Sequence, residues 1–155
     1  MSPHTGFFGD TLALRVPQGG IYLLTFELWQ AMAFRAGALG CVGLGVGRFI
    51  YVGSAQRCLA QRVERHFRRR KRLRWHIDYL THLQSPRKVA VWALAKESEC
   101  VCALTLLARW GPGVVHFGSS DCNCASHLIG PVGEEWLEVV SEIVGAPAAV
   151  VDSHE

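Results

Sequence analysis

From Arg48 to Arg74 the chain carries ten Lys and Arg residues (48, 57, 62, 65, 68, 69, 70, 71, 72 and 74) against a single acid, Glu64. Six basic and twelve acidic residues are left for the rest of the chain, so the overall formal charge of +3 understates a strongly basic segment. Cations at this density, with acids nearly excluded, are the electrostatic footprint of a site for a polyanion, and guanidinium forks match phosphate oxygens in particular. The plainer alternative is a solvated helix face. A second group of residues is thiol-rich: Cys100-x-Cys102 and Cys122-x-Cys124-x2-His127. In number these supply enough ligands for zinc. Both pairs are C-x-C, however, and side chains two apart on a helix point about 200° apart. Structural Zn2+ is therefore not expected, and the cysteines read as small buried thiols.

The elements that must position these residues follow from pattern and punctuation. At 155 residues, half of them apolar, the chain suits one folded domain with its own core. Residues 1–18 read as a leader. After Gly19-Gly20, "IYLLTFELW" reads as a strand, "QAMAFRA" as a second, "GALG" as a turn and "RFIYVG" as a third. Ser54 is the expected N-cap of a helix with an apolar stripe at Leu59, Val63 and Phe67. Arg62, Arg65, His66 and Arg69 run beside that stripe at i, i+3, i+4 and i+7.

"WHIDYLTHL" (75–83) continues as a second helix, and "VAVWALA" (89–95) reads as a buried strand. "SECVCALTLLARW" (98–110) reads as a helix with Glu99 in its first turn, and "VVHFG" as a short edge strand. "SSDCNCASHL" is a polar turn, "GEEWLEVVSEIV" an acidic amphipathic helix and "GAPAAVVDSHE" a mobile tail. The expectation is an α+β domain: a small, mainly antiparallel sheet of three to four strands flanked by helices. No secretory signal and no apolar run of about 18 residues stands in the sequence, which points to the cytoplasm and to no membrane partner.

"GIY" at Gly20–Tyr22 and "YVG" at Tyr51–Gly53 resemble the paired signature of the GIY-YIG endonuclease superfamily. "YVGSA", "RHF", "RWHIDYL", Glu99-Cys100 and "FGSSDCNCASHL" are similar to one compact branch of it, long catalogued as a domain of unknown function and sometimes fused to DNA-glycosylase domains. The resemblance covers residues 19–129 as the domain, with 130–155 left as an acidic helix and tail. It implies a small antiparallel sheet with flanking helices and hydrolysis of phosphodiester bonds with a divalent metal.

The resemblance places the superfamily's tyrosines on Tyr22 and Tyr51, its helix arginine on Arg62 and its metal-binding glutamate on Glu99, with Glu97 as the alternative. In chemical terms, Arg62 offers a donor fork to a phosphate, and Glu99 offers the one carboxylate that a hydrated Mg2+ (or Mn2+) needs. Tyr22 orients or deprotonates the attacking water, given a pKa lowered by nearby cations, and Tyr51 orients the phosphate or shares that work. His66 binds phosphate or relays a proton. Arg57, Arg65, Arg69, Arg70, Lys71, Arg72, Arg74 and His76 are the nucleic-acid-binding residues, with a structural hydrogen-bond pair of His76 and Asp78 as the competing reading. The superfamily's asparagine after the glutamate helix has no firm counterpart here: Asn123, Ser120 and Asp121 are the candidates. The expected function is a metal-dependent endonuclease on DNA, with RNA left open and repair as a possible setting; the alternatives are a non-catalytic nucleic-acid-binding module and a protein-interaction domain docking through its acidic C-terminal helix.

Overall fold

The computed structural model describes residues 16–153; the expected leader lies outside the described residues except for its last three. Among the described residues seven strands and four α-helices follow one another: β1 (Gly20–Leu28), β2 (Met32–Arg35), β3 (Cys41–Leu44), β4 (Gly47–Ala55), α1 (Leu59–Phe67), α2 (His76–Thr81), β5 (Lys88–Trp92), α3 (Ser98–Trp110), β6 (Leu128–Val132), α4 (Trp136–Val144) and β7 (Ala149–Asp152). The fold is α+β. Its five-stranded sheet has the order β6-β4-β1-β5-β7 with every neighbouring pair antiparallel.

The central strand explains its own sequence. β1 is covered on both faces, so "GIYLLTFEL" is apolar almost throughout instead of alternating. Successive residues serve opposite sides. Tyr22, Leu24 and Phe26 pack with Leu59 and Val63 of α1 and Ile77 and Leu80 of α2. Ile21 and Leu23 pack with Cys102, Ala103 and Leu106 of α3 and Trp136 and Val140 of α4. The sheet is thus sandwiched between two helix pairs.

Several expectations are corrected. "QAMAFRA" does form a strand, but β2 pairs with β3, and the two form a separate two-stranded sheet interrupting the connection from β1 to β4. "VVHFG" is a turn, closed by His116 N donating to Ala125 O (2.6 Å) and His127 N to Phe117 O (2.7 Å), with His116 in the left-handed region. Ser54 does not cap α1. It lies inside β4, and Cys58, in a left-handed conformation with no side-chain cap, precedes the helix. Two further strands, β6 and β7, form in stretches whose sequence pattern does not mark them. The supposed tail is an edge strand pairing Lys88–Val91 with Ala149–Asp152, and β6 straddles the expected boundary at residue 129, so the C-terminal segment and the preceding chain share one sheet. Among the described residues no helix is long and apolar enough to cross a membrane.

Candidate functional site

The two tyrosines meet because of the register between β1 and β4. Tyr22 sits opposite Gly53 and Leu24 opposite Tyr51, which puts both aromatic rings on the face carrying α1, 6.4 Å apart between centroids. Gly53 is required by this contact: a Cβ there would lie 2.5 Å from Tyr22 Cζ and 2.6 Å from its hydroxyl. Gly20 has an equally specific reason, since a Cβ would lie 2.0 Å from Trp92 O on the neighbouring strand. The glycines of both signature triplets therefore permit close approach of strands and rings, more than they make turns.

Tyr22 is 2% exposed and Tyr51 9%. Burial pushes the Tyr22 phenol well above its ordinary value, against the lowering effect of Arg62, and burial likewise raises Tyr51. The expectation of a cation-lowered Tyr22 is corrected: desolvation outweighs the guanidinium. Tyr22 Oη lies 2.7 Å from His66 Nε2. His66 is fully buried, and burial, with Lys71 adding to it, lowers its pKa to about 3. With no exposed surface, the His66 ring presents no atom to a phosphate in this structure. Among the described residues its Nδ1 has no hydrogen-bond partner. An unpaired buried N–H is rarer than an unpaired acceptor, which assigns the proton to Nε2. His66 then donates to the Tyr22 oxygen, and the tyrosine O–H is left to donate elsewhere.

Arg62 is held from two sides: its Nη1 donates to Ser54 O (3.2 Å) and its guanidinium lies 4.6 Å from the Trp75 ring centre. Arg65 lies at the same distance from Trp75. Ser54 joins this cluster to Glu99: its backbone carbonyl accepts from Arg62 and its hydroxyl donates to Glu99 Oε1. Glu99 Oε2 is 2.8 Å from His127 Nδ1. Burial raises the Glu99 pKa, but His127 and Ser54 outweigh it and hold the carboxyl below its ordinary value, so it is an anion. It lines a cleft of about 390 Å³ with Lys96, Glu97, Asp121 and His127, and Lys96 and Glu97 also line a second cleft of about 440 Å³ that reaches Gly19, Gly20 and Ser54. Asp121, one of the three candidates for the superfamily asparagine, faces this cleft.

The basic residues divide. Arg65 binds Asp78 through two contacts (2.5 and 3.0 Å) and caps Arg72 O (2.7 Å), Arg69 caps Leu83 O (2.8 Å), and Lys71 donates to Thr81 Oγ1 and Arg65 O. These three brace α1 against the turn and α2. Arg57, Arg70, Arg72 and Arg74 are exposed and have no acidic partner among the described residues. His76 Nδ1 accepts from Gly118 N (3.0 Å), anchoring the 116–118 turn. Asp78 pairs with Arg65 and accepts from the backbone N–H of Arg74 and Trp75 (2.8 and 2.9 Å), so the expected His76–Asp78 pair is not formed.

The cysteines do not act as two adjacent pairs. Cys102 turns into the core, while the ligand atoms of Cys100, Cys122, Cys124 and His127 all lie within 4.8 Å of one another. This is a cluster able to hold a metal ion, against the expectation drawn from spacing.

A family model described as a domain of unknown function, DUF123, matches residues 21–146. The chain belongs to the DUF123 family. No curated protein and no solved structure matches it. The DUF123 match extends beyond residue 129 through β6 and α4, as the sheet does. Within this DUF123 domain the residues that sequence reasoning missed are Ser54, Trp75 and His127. The sequence pattern marks Ser54 as a cap, Trp75 only as part of the second helical segment and His127 only as a zinc-ligand candidate that the spacing argues against.

Proposed function

We propose that the chain is a metal-dependent endonuclease hydrolysing phosphodiester bonds in DNA. The observation that carries this reading is the linkage at one end of the sheet: Tyr22, Tyr51 and Arg62 clustered around His66, joined through Ser54 to the anionic Glu99 at the start of α3. A cation fork, phenols and a carboxylate at a cleft are what phosphoryl chemistry needs for charge stabilisation, water placement and metal binding.

Arg62, stacked on Trp75 and tied to Ser54, has a fixed fork to offer a phosphate oxygen. Tyr22 is too enclosed and too weakly acidic to serve as a ready phenolate. It acts as a positioning residue, tied to His66 on the face that carries Arg62. Tyr51, the more exposed of the two, is the better candidate to touch the substrate. Glu99 fits a hydrated Mg2+ or Mn2+: each oxygen accepts one hydrogen bond and keeps a lone pair, and the cleft has room for water ligands. Glu99, with Asp121 across the cleft, would hold the ion, which when bound supplies Lewis-acid stabilisation of the phosphoryl oxygens. Arg57, Arg70, Arg72 and Arg74 supply the phosphate-tracking charge.

The alternative, a nucleic-acid-binding module without cleavage, rests on the missing superfamily asparagine: Asn123 is exposed in the turn that carries the cysteine cluster. The two readings separate when purified protein is incubated with labelled single-stranded, duplex and branched DNA, with and without Mg2+ or Mn2+. Cutting that requires the ion supports the endonuclease. Salt-sensitive binding without cutting under any of these conditions supports the module.

A further inference from the structure

We infer that Cys100, Cys122, Cys124 and His127 form a tetrahedral structural zinc site, with Glu99 as the carboxylate that orients its histidine. The site is assembled from three places in the chain: the first turn of α3, the turn after Ser119 and the residue preceding β6.

Geometry and tautomer both point this way. For Zn–S near 2.3 Å and Zn–N near 2.05 Å, a tetrahedral ion sets sulfur–nitrogen separations of about 3.6 Å and sulfur–sulfur separations of about 3.8 Å. Cys122 Sγ and Cys100 Sγ lie 3.4 and 4.0 Å from His127 Nε2, and no pair of the four ligand atoms exceeds 4.8 Å. His127 Nδ1 faces two acceptors, Val52 O at 3.2 Å and Glu99 Oε2 at 2.8 Å, so Nδ1 carries the proton. The lone pair of Nε2 is thereby aimed at the sulfurs. A histidine that gives one N–H to a carboxylate and turns its other nitrogen to a cluster of thiols has the outer-shell arrangement of a zinc ligand. Three sulfurs and one imidazole select a soft, tetrahedral ion over Mg2+ or Ca2+, and four protein ligands leave no open position, which makes the site structural.

Two other uses of the same groups are weaker. A disulfide would consume two thiols and leave the third sulfur and the oriented imidazole without purpose. A nucleophilic thiol activated by His127 and Glu99 would not need two further sulfurs crowding it. The zinc reading also gives the turn 112–127 a further anchor: besides its own backbone hydrogen bonds, it would be clamped to α3 beside Glu99.

The test is metal content of the full chain purified without chelator, and its readout is independent of cleavage. About one zinc per chain is expected, with three of the six thiols protected from a thiol reagent until a strong chelator is added. Replacement by Co2+ should give the intense visible bands of tetrahedral cobalt and a sulfur-to-cobalt charge-transfer band. Cys122→Ser and Cys124→Ser should lose the metal, whereas Cys41→Ser, at an exposed thiol remote from the cluster, should keep it. Glu99→Gln should keep the stoichiometry but bind the ion about 10- to 100-fold more weakly. If the ligand variants fail to fold, the cobalt spectrum and thiol count of the unaltered chain still decide. Protein that binds no zinc or cobalt, that contains a disulfide among these cysteines, or that shows one rapidly alkylated thiol with no metal would overturn the inference.

Discussion

At the scale of single residues, His66 shows how far burial governs this site. Its imidazole is enclosed between the Tyr22 hydroxyl and the core, and stays neutral down to about pH 3. In the unfolded chain the same histidine takes up a proton near its ordinary value of 6.5. Between these two values the unfolded state binds more protons than the folded one, so stability falls as pH drops from about 6.5 toward 3, by at most about 1.4 kcal/mol per pH unit from this group. Urea unfolding at pH 7 and pH 5 should therefore show a clear loss in the unaltered protein. His66→Asn should be less stable at both values but with a flatter dependence between them. An unaltered slope in that variant would assign the acid sensitivity to another group. The paired triplets were enough to find Tyr22 and Tyr51 in the sequence, but not their depth: a three-residue motif states chemistry and neighbours along the chain, while burial depends on α1 and α2 covering that face.

At the scale of elements, the helix α1 and the basic turn after it do two jobs that look alike in the sequence. Arg65, Arg69 and Lys71 spend their donors on Asp78, Leu83 O and Thr81, and hold α1 to α2. Arg57, Arg70, Arg72 and Arg74 face solvent. If the exposed group contacts DNA, replacing all four with Ala should reduce the slope of log binding constant against log salt by about 3 to 4, since each phosphate contact contributes roughly 0.9. Binding titrations at several salt concentrations measure this. An unchanged slope would move the DNA contact to another surface. Charge counting identified the segment but could not sort its members, because a carbonyl at the end of a helix has no signature in composition. The same limit hid Ser54. Its place before a helical pattern suggests a cap, whereas its hydroxyl is used by Glu99, 45 residues later.

At the scale of the molecule, the sheet is closed by strands that looked dispensable. β7 covers the edge of β5 and buries Ala149 and Val151. Cutting the chain after Gly145 should cost about 3 kcal/mol or more from the loss of those apolar contacts, before the lost ladder is counted. Thermal or urea unfolding of that truncation checks it, and unchanged stability would contradict the sheet order described. The α+β class, β1, β5 and α3 were readable because their periods and lengths are strong. β6 and β7 were not: they are short, one contains Pro131 and the other sits in an Ala-rich stretch. The cysteine cluster was hidden for a related reason. Spacing rules find ligands paired locally, and here the fold brings together residues from α3 and a distant turn.

The central claim is that Arg62 and its neighbours stabilise phosphodiester cleavage, and it is tested most directly by single-turnover kinetics on labelled DNA, with Mg2+ and protein in excess over substrate. This format separates chemistry from binding, and Arg62 is chosen because it touches neither Glu99 nor the cysteine cluster. The unaltered protein should cut, and Arg62→Ala should cut about 100- to 1,000-fold more slowly while its dissociation constant for DNA changes by less than about tenfold. Equal rates for the two proteins, or DNA bound by the unaltered protein and never cut, would contradict the account.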